Sequence, residues 1–189
     1  MADDETGRIS VGSSLAPLPL DVDNPLDVLA HEHLRQKWLC DVLETIADGL
    51  PDRLEAALAR TAVDILENEA PLHHKQEEAC LFPLLIQRAQ PEDNVEAVIR
   101  QLTREHLADD TYSSDLIHLL EEMAEGNRPT NAEMAGYMIR GFFESYRRHI
   151  AFEDLVILPL ARLRLSDWDL KKLQSCMRKR QRRIGNRRH

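Results

Sequence analysis

The sequence predicts an all-α protein, an up-down-up-down four-helix bundle. Its 189 residues fit one domain, and 43% apolar with 30% charged residues is a globular composition. No glycine lies between Gly49 and Gly126, a stretch too long for the many tight turns of a β-sandwich or barrel. Apolar residues instead recur with helical spacing in four long stretches. Short breaks separate these stretches, so consecutive helices are expected to be antiparallel.

The first two predicted helices are separated by the connection Gly49-Leu50-Pro51-Asp52. The first helix, over residues 25–47, begins with a proline behind Asn24, which is a favourable N-cap residue. The second helix, over residues 52–89, contains Pro71. Because proline lacks the amide hydrogen and crowds the preceding turn, it should interrupt or kink this helix.

The third and fourth helices are predicted over residues 92–124 and 131–164, on either side of Gly126-Asn127-Arg128-Pro129-Thr130. A shorter amphipathic segment follows them and could pack as a fifth helix outside the bundle. The predicted boundaries are a loose acidic leader (1–24), the bundle (25–164) and a basic C-terminal helix or tail (165–189).

Charge is unevenly distributed along the chain. Nine of the 24 Lys and Arg lie in the last 19 residues, which contain no acid, so the other 15 face all 33 Asp and Glu. The acidic body argues against a nucleic-acid partner, although the solvated tail could contact anions. The chain has no apolar signal segment and no run of 18 apolar residues, which predicts a cytoplasmic protein without a membrane partner.

Three cysteines, Cys40, Cys80 and Cys176, cannot all pair with one another, and no CxxC motif occurs. This usage suits a reducing compartment. Cys40 and Cys80 fall on the core-facing positions of their helices, where a thiol usually acts as a small apolar filler.

One motif occurs twice along the chain. HHKQEEACLFPLL begins at His73 and HIAFEDLVILPLA begins at His149, and both read H-x-x-x-E-[ED]-x-x-[LI]-[FL]-P-L. A Glu-His pair precedes each motif, Glu32-His33 in the first half and Glu105-His106 in the second. The duplication predicts two related helix pairs with pseudo-two-fold symmetry.

The histidines of this repeat stand where the helical periodicity requires core residues. In a helix, residues four apart project within about 40° of each other, so each histidine of the doubled motif shares a face with its Glu. A buried carboxylate without a partner costs several kcal/mol, and Lys and Arg are nearly absent from these faces. Two divalent cations would supply the missing charge, and imidazole with carboxylate suits iron, manganese or zinc. The predicted ligands are His33, His73, Glu77, His106, His149 and Glu153.

Other residues near these positions are predicted to have lesser roles. His74 and Glu78 lie about 100° around the helix from the ligand face, so we interpret them as surface residues or as supports for the ligands. Tyr112 could approach the site as a hydrogen-bond donor. Pro83 and Pro159 follow the two motifs and should kink the ends of their helices.

The doubled motif and its Glu-His pairs resemble the hemerythrin-like, or HHE cation-binding, domain over residues 25–164. The resemblance implies a four-helix bundle around a non-haem di-iron centre, with an oxo or hydroxo bridge and the six ligands above. Oxygen-carrying members place two histidines one turn apart on the third helix, where this chain has His106 and Asp110. Their last carboxylate corresponds to Asp154, but we prefer Glu153 because it mirrors the first motif.

Two functions are open at this point. The first is a cytosolic di-iron module that senses, buffers or binds O2, NO or iron. The alternative is a di-iron enzyme that reduces peroxide or nitric oxide, or donates iron for iron–sulfur cluster repair. A ferritin-like oxidase would need a Glu three residues before a His, and a zincin would need a histidine in place of Arg35. The single histidine on the third helix predicts that O2 is not kept as a long-lived adduct.

Overall fold

The computed structural model describes residues 24–185, which form five helices and, within that range, no strand. The all-α prediction is therefore confirmed for this part of the chain. The predicted leader, apart from its last residue, lies outside the described residues. The helices are α1 (Pro25–Gly49), α2 (56–88), α3 (Val95–Ala124), α4 (132–164) and α5 (Asp167–Gly185).

Capping side chains fix where the helices begin. As predicted, Asn24 is the N-cap of α1, and its side-chain oxygen accepts a hydrogen bond from the Leu26 amide at 3.0 Å. Asn131 caps α4 in the same way through the Met134 amide at 2.9 Å. Gly126 follows the end of α3 with a φ of +95°, a left-handed conformation that glycine adopts without strain.

Three prolines lie inside the long helices, and none of them breaks its helix. Each follows a π-helical turn by two residues, and the pairs are Ile65–Glu69 with Pro71, Glu77–Leu81 with Pro83, and Glu153–Ile157 with Pro159. Proline cannot donate to the carbonyl four residues earlier and crowds it, so the preceding turn widens and the helix continues. The helix is therefore not interrupted at Pro71, and the predicted alternative, a kink there, stays a prediction. The two later turns begin at candidate ligands, and π-helical turns are frequent at functional sites.

Two buried apolar clusters form the core. The Phe142 cluster includes Leu43, Leu66, Leu120 and Phe142, and the Phe82 cluster includes Leu29, Phe82, Leu102 and Ile157. Each of α1 to α4 contributes to both clusters, with α1 packed mainly against α4 and α2 against α3. Along each of these helices the predicted ligands come at the junction between the two clusters. A polar layer therefore separates the two halves of the core.

Helix α5 is part of this core. Leu173 and Met177 are fully buried in the Phe82 cluster. Asp169, also buried, accepts two hydrogen bonds of 3.0 Å from the Arg88 guanidinium on α2. The predicted fifth helix is confirmed, but its first half is anchored and not the solvated tail that the charge pattern predicted. None of the described helices is long and apolar enough to cross a membrane.

The cysteine prediction needs a correction. Cys40 is a free, fully buried thiol, as predicted, but Cys80 is not a free apolar filler. It forms a disulfide with Cys176, which ties α5 to the π-helical turn Glu77–Leu81. The pairing was not predictable from spacing, because the two cysteines are separated by 96 residues.

Replacing Leu173 by alanine is expected to lower the free energy of unfolding by about 2–5 kcal/mol, because it leaves a cavity in the Phe82 cluster. Urea denaturation followed by circular dichroism measures this change. Leu163→Ala on α4 is the matched control: Leu163 is 69% exposed, so the expected change is within about 0.5 kcal/mol. If Leu173→Ala changed the free energy of unfolding as little as Leu163→Ala does, α5 would unfold separately from the bundle.

Candidate metal centre

The structure brings all six predicted ligands together in the polar layer, and none is more than 4% exposed. Helices α1 and α3 each supply one histidine, and the π-helical turns of α2 and α4 supply the two carboxylates. Glu153 lies between three imidazoles, with distances to the Nε2 atoms of 3.1 Å (His149), 3.3 Å (His33) and 3.4 Å (His106). Glu77 lies 3.3 Å from His106 Nε2, 3.5 Å from His73 Nε2 and 3.9 Å from His33 Nε2. Each carboxylate therefore contacts histidines of both motif halves.

A seventh candidate ligand, His74, was missed in the sequence. It is 3% exposed, and its ring stacks on that of His106 with centroids 4.2 Å apart. Its Nε2 atom is buried without a hydrogen-bond partner in the described part of the chain. The interpretation of His74 as a surface residue is therefore wrong, and its choice between a ligand and a support for the ligands stays a prediction. The visible signal was the His73-His74 doublet.

The candidate ligand atoms divide into two groups. Within each group the atoms lie within 4.8 Å of one another. One group is His33, His73, Glu77 and Glu153, and the other is His74, His106 and His149. Since Glu77 and Glu153 also contact His106, the two groups are adjacent and share the carboxylates.

A carboxylate holds the Nδ1 atom of every histidine in the centre. The pairs are Asp154–His33 at 2.6 Å, Glu32–His73 at 2.8 Å, Asp110–His74 at 2.9 Å, Glu78–His106 at 2.9 Å and Glu105–His149 at 3.0 Å. A carboxylate in this position accepts the Nδ1 hydrogen, fixes the ring and leaves the Nε2 lone pair free for a metal. The two Glu-His pairs of the sequence thus combine a ligand with a carboxylate that orients a histidine of a neighbouring helix.

The two positions that depart from the oxygen-carrier pattern belong to this outer set. Asp154 contacts Nδ1 of His33 and pairs with the Lys37 ammonium, while Glu153 faces the Nε2 atoms. This geometry favours Glu153 as the ligand in α4. Asp110 stands where oxygen-carrying members have a second histidine on the third helix. In this chain it contacts Nδ1 of His74.

Tyr112 does not approach the centre. Its hydroxyl donates to the Met138 carbonyl at 3.0 Å, between α3 and α4. The tyrosine beside the centre is Tyr146, which is fully buried and parallel to the His149 ring at 6.1 Å. Its hydroxyl has no hydrogen-bond partner among the described residues. The spacing of three residues from His149 was the only sequence signal for this position.

Burial and close charges shift the pKa of several groups in the centre. In the metal-free protein, burial and the nearby Glu153 raise the pKa of Glu77. Burial also opposes ionisation of Glu153, but the close imidazoles of His106 and His149 outweigh it and hold the pKa of that carboxyl well below its usual range. Burial lowers the pKa of His73 to about 3, so this imidazole stays neutral.

The donor set fits divalent cations. Both oxygens of Glu77, one oxygen of Glu153 and the Nε2 atoms of His74 and His149 are buried without a hydrogen-bond partner in the described residues. Buried polar atoms normally have such partners, and a cation bound here would supply them. Ion pairs of Glu77 and Glu153 within residues 24–185 are with histidines alone, so no Lys or Arg takes the place of a metal there.

A cavity of about 350 Å³ opens between α3 and α4 and reaches this layer at His149. Glu105, Asp109, Ser145 and Arg148 contribute to its wall. Asp109 is 7% exposed, and its Oδ2 atom lies 4.0 Å from His149 Nδ1 without a hydrogen-bond partner in the described region. The cavity offers a polar route from solvent to the candidate centre.

Comparison with known proteins fits this arrangement. Residues 24–161 match the hemerythrin HHE cation binding domain. The chain belongs to this family. It is also 28% identical over 137 residues to an uncharacterised protein of Haemophilus influenzae, a match that spans 70% of this chain and 76% of that protein. No solved structure is significantly similar to the chain. The resemblance seen in the sequence is confirmed, and the hemerythrin HHE family implies cation binding by a helical bundle.

Loading this hemerythrin-like centre with Fe²⁺ at pH 7 is expected to release protons, at least those of His106 and His149, because a protonated imidazole cannot bind metal. Burial alone would lower the pKa of His106 and His149, but the close Glu153 carboxylate, with Glu77 beside His106, outweighs it. The pKa rises to about 10 for His106 and to about 9 for His149. Both rings therefore carry a proton at pH 7 that metal must displace, and metal affinity should rise with pH through neutrality.

Anaerobic calorimetry in two buffers of different ionisation enthalpy counts these protons. His118→Ala is the control, since the His118 side chain is 83% exposed and lies beside Glu121 on the outer face of α3. Its proton release should equal that of the unchanged protein. Metal binding without proton release would contradict the assignment of His106 and His149.

Proposed function

We propose that the chain is a di-iron binding module that senses or binds O2 or NO. The observation that supports it most is the sharing of Glu77 and Glu153 between two groups of histidines. His33 and His73 would hold one ion, His74, His106 and His149 would hold the other, and the two carboxylates would bridge them. When bound, iron would supply affinity for small diatomic molecules and one-electron redox chemistry. Imidazole and carboxylate also suit manganese or zinc.

The unequal number of histidines in the two groups indicates where a small ligand would bind. Two imidazoles in one group and three in the other leave more room for an added ligand on the two-histidine side. His74 would supply the imidazole that the third helix lacks, which removes one reason for expecting no long-lived O2 adduct, whereas the polar groups beside α3 still favour its breakdown. Retention of O2 is therefore open to experiment for this chain.

We also infer that α1 to α4 run alternately up and down. The support is the order in which they pass the two clusters: α1 and α3 run from the Phe82 cluster to the Phe142 cluster, and α2 and α4 run the other way. A cytoplasmic location, with no nucleic-acid partner for the acidic body, stays a prediction.

The second candidate function is a di-iron enzyme that reduces peroxide or nitric oxide. The α3–α4 cavity favours it, because reduction of either molecule consumes protons. Glu105 and Asp109 place two carboxylates between solvent and His149. Release of iron for iron–sulfur cluster repair is a further possibility for the same centre.

Protein purified from iron-replete cells is expected to contain about two iron ions per chain, one for each group of histidines. His74→Ala should lower that content to about one, because it removes one of the three imidazoles of its group, whereas His118→Ala should retain both ions. Elemental analysis measures the content, and optical spectra with and without O2 or NO test ligand binding. Catalytic consumption of peroxide or NO would favour the enzyme. One iron or none in fully loaded protein would contradict the proposal.

A further inference from the structure

The disulfide joins a buried sulfur to a partly exposed one. Cys80 is 4% exposed and lies in the π-helical turn that begins at Glu77. Cys176 is only half-buried, in the middle of α5, and the two Cα atoms are 5.8 Å apart. A thiol or an oxidant from solvent would therefore meet Cys176 first, with Cys80 directly behind it.

Cys176 also lies in a basic cavity. The cavity has a volume of about 320 Å³, and its other lining residues are Lys172, Ser175, Lys179 and Arg180. The three cations stand four residues before, three after and four after Cys176, so they share its face of α5. Nearby Lys and Arg stabilise a thiolate, which is the reactive form of cysteine. The Nε atom of Arg180 is buried without a hydrogen-bond partner in the described residues, so it can donate to an oxygen bound there.

The third cysteine provides an internal contrast. Cys40 is fully buried in the Phe142 cluster. Burial raises the pKa of the Cys40 thiol to about 12. A thiol in this environment stays protonated and does not react at neutral pH.

We propose that Cys176 and Cys80 form a peroxide-reactive thiol pair, with Cys176 as the sulfur that meets a small hydroperoxide. The Cys176 thiolate attacks one oxygen, the O–O bond breaks, and the other oxygen leaves as an alcohol or water after taking up a proton. Cys176 then carries a sulfenic acid. The Cys80 thiol attacks that sulfur, the disulfide forms, and water leaves. Overall the two thiols lose two electrons and two protons, and the hydroperoxide ROOH becomes ROH and water.

A dithiol from another molecule would regenerate the two protein thiols: it attacks Cys176, the more exposed sulfur, releases the Cys80 thiol and itself becomes a disulfide. Reduction removes the covalent tie between α5 and the turn that carries Glu77. Leu173, Met177 and Asp169 still anchor α5 through burial and the Arg88 ion pair. The pair can therefore cycle without release of the helix.

The test uses full-length, metal-free protein, so that its result is independent of the di-iron proposal. The protein is reduced, freed of reductant and mixed with one equivalent of hydrogen peroxide, and the remaining thiols are alkylated after denaturation. Peptide mass mapping is expected to show the Cys80–Cys176 disulfide within one chain and Cys40 alkylated. In Cys80→Ser protein, dimedone should trap a sulfenic acid on Cys176. In Cys176→Ser protein, peroxide consumption should fall by about tenfold or more.

The double variant Lys179→Ala/Arg180→Ala should react with peroxide about several-fold more slowly, because it lacks two of the cations that stabilise the Cys176 thiolate. Lys171→Ala is its control, because Lys171 is exposed on α5 outside the cavity. A second test needs no cysteine variant, so it holds even if those variants do not fold. In the reduced, unchanged protein, iodoacetamide should alkylate Cys176 about tenfold faster than Cys80 or Cys40. Equal alkylation rates, oxidation of Cys40, or Cys176→Ser protein that consumes peroxide normally would overturn the proposal.

Discussion

Alanine in place of Glu77 or Glu153 is expected to empty the metal centre, leaving less than about one iron ion per chain. Each carboxylate contacts histidines of both groups, so its loss removes a ligand from two ions at once. Elemental analysis of each variant against its protein concentration measures this loss.

Glu78→Ala and Asp154→Ala are the matched controls. Each of these side chains follows a candidate ligand by one residue and contacts the Nδ1 atom of a histidine, His106 or His33. Loss of such an orienting partner typically lowers metal affinity by about 10–100-fold. These variants should keep most of their iron through purification but release it faster to a chelator. If Asp154→Ala loses the metal and Glu153→Ala does not, the ligand assignment in α4 is wrong.

The Glu77→Ala variant also separates a binding role from a structural one. In the metal-free protein the Glu77 carboxyl is fully buried, and both its oxygens lack hydrogen-bond partners in the described residues. Burial of such a group opposes folding. The metal-free variant should therefore unfold at higher urea concentration than the metal-free unchanged protein. If Glu77 served only to stabilise the fold, the variant would instead unfold at lower urea concentration than the unchanged protein.

The six candidate ligands were predictable because their placement depends largely on local geometry. His73 with Glu77, and His149 with Glu153, share a helix face through spacing alone, and the repeat doubles that signal. The Glu-His pairs were visible too, but their division of labour was not. Glu32 serves a histidine on another helix, so its role depends on how α1 and α2 pack.

His74 shows what helical periodicity leaves out. A helical wheel treats the centre of a bundle as one point, and His74 lies about 100° from His73 around α2. Two groups of ligands make a wider layer, in which adjacent residues of one helix can face different groups. The stacking of His74 on His106 and its hydrogen bond to Asp110 both come from α3, so they are tertiary contacts.

Helix α5 was predicted as an amphipathic segment, but its role in the core was not. Charge dominates the sequence from residue 171 onward, and the buried Leu173 and Met177 are two of only four apolar residues within it. The partner of Cys176 depends on where α5 crosses α2. Three cysteines allow three single pairings, and nothing in their spacing chooses among them.

Removal of both ions by a chelator is expected to lower the melting temperature by roughly 10 °C. A ligand that binds only the folded state stabilises it by RT ln(1 + [L]/Kd), about 4 kcal/mol at a thousandfold excess over Kd. In a chain of this size about 1 kcal/mol corresponds to roughly 2–4 °C. After the chelator has removed the metal, Glu77 and Glu153 remain buried, and their ion-pair partners in the described region are histidines alone. Burial of these carboxylates without a metal ion lowers the stability of the folded protein.

Differential scanning calorimetry on iron-loaded and chelated protein measures the shift. No thiol reductant is present, so that the Cys80–Cys176 disulfide stays intact in both samples. Glu77→Ala protein is the control: since it should hold little metal, its melting temperature should not respond to the chelator. Unchanged protein that loses its iron by elemental analysis yet melts at the same temperature would contradict a metal ion coupled to folding. The polar layer between the two apolar clusters would then be stable on its own, through protons held by His106 and His149.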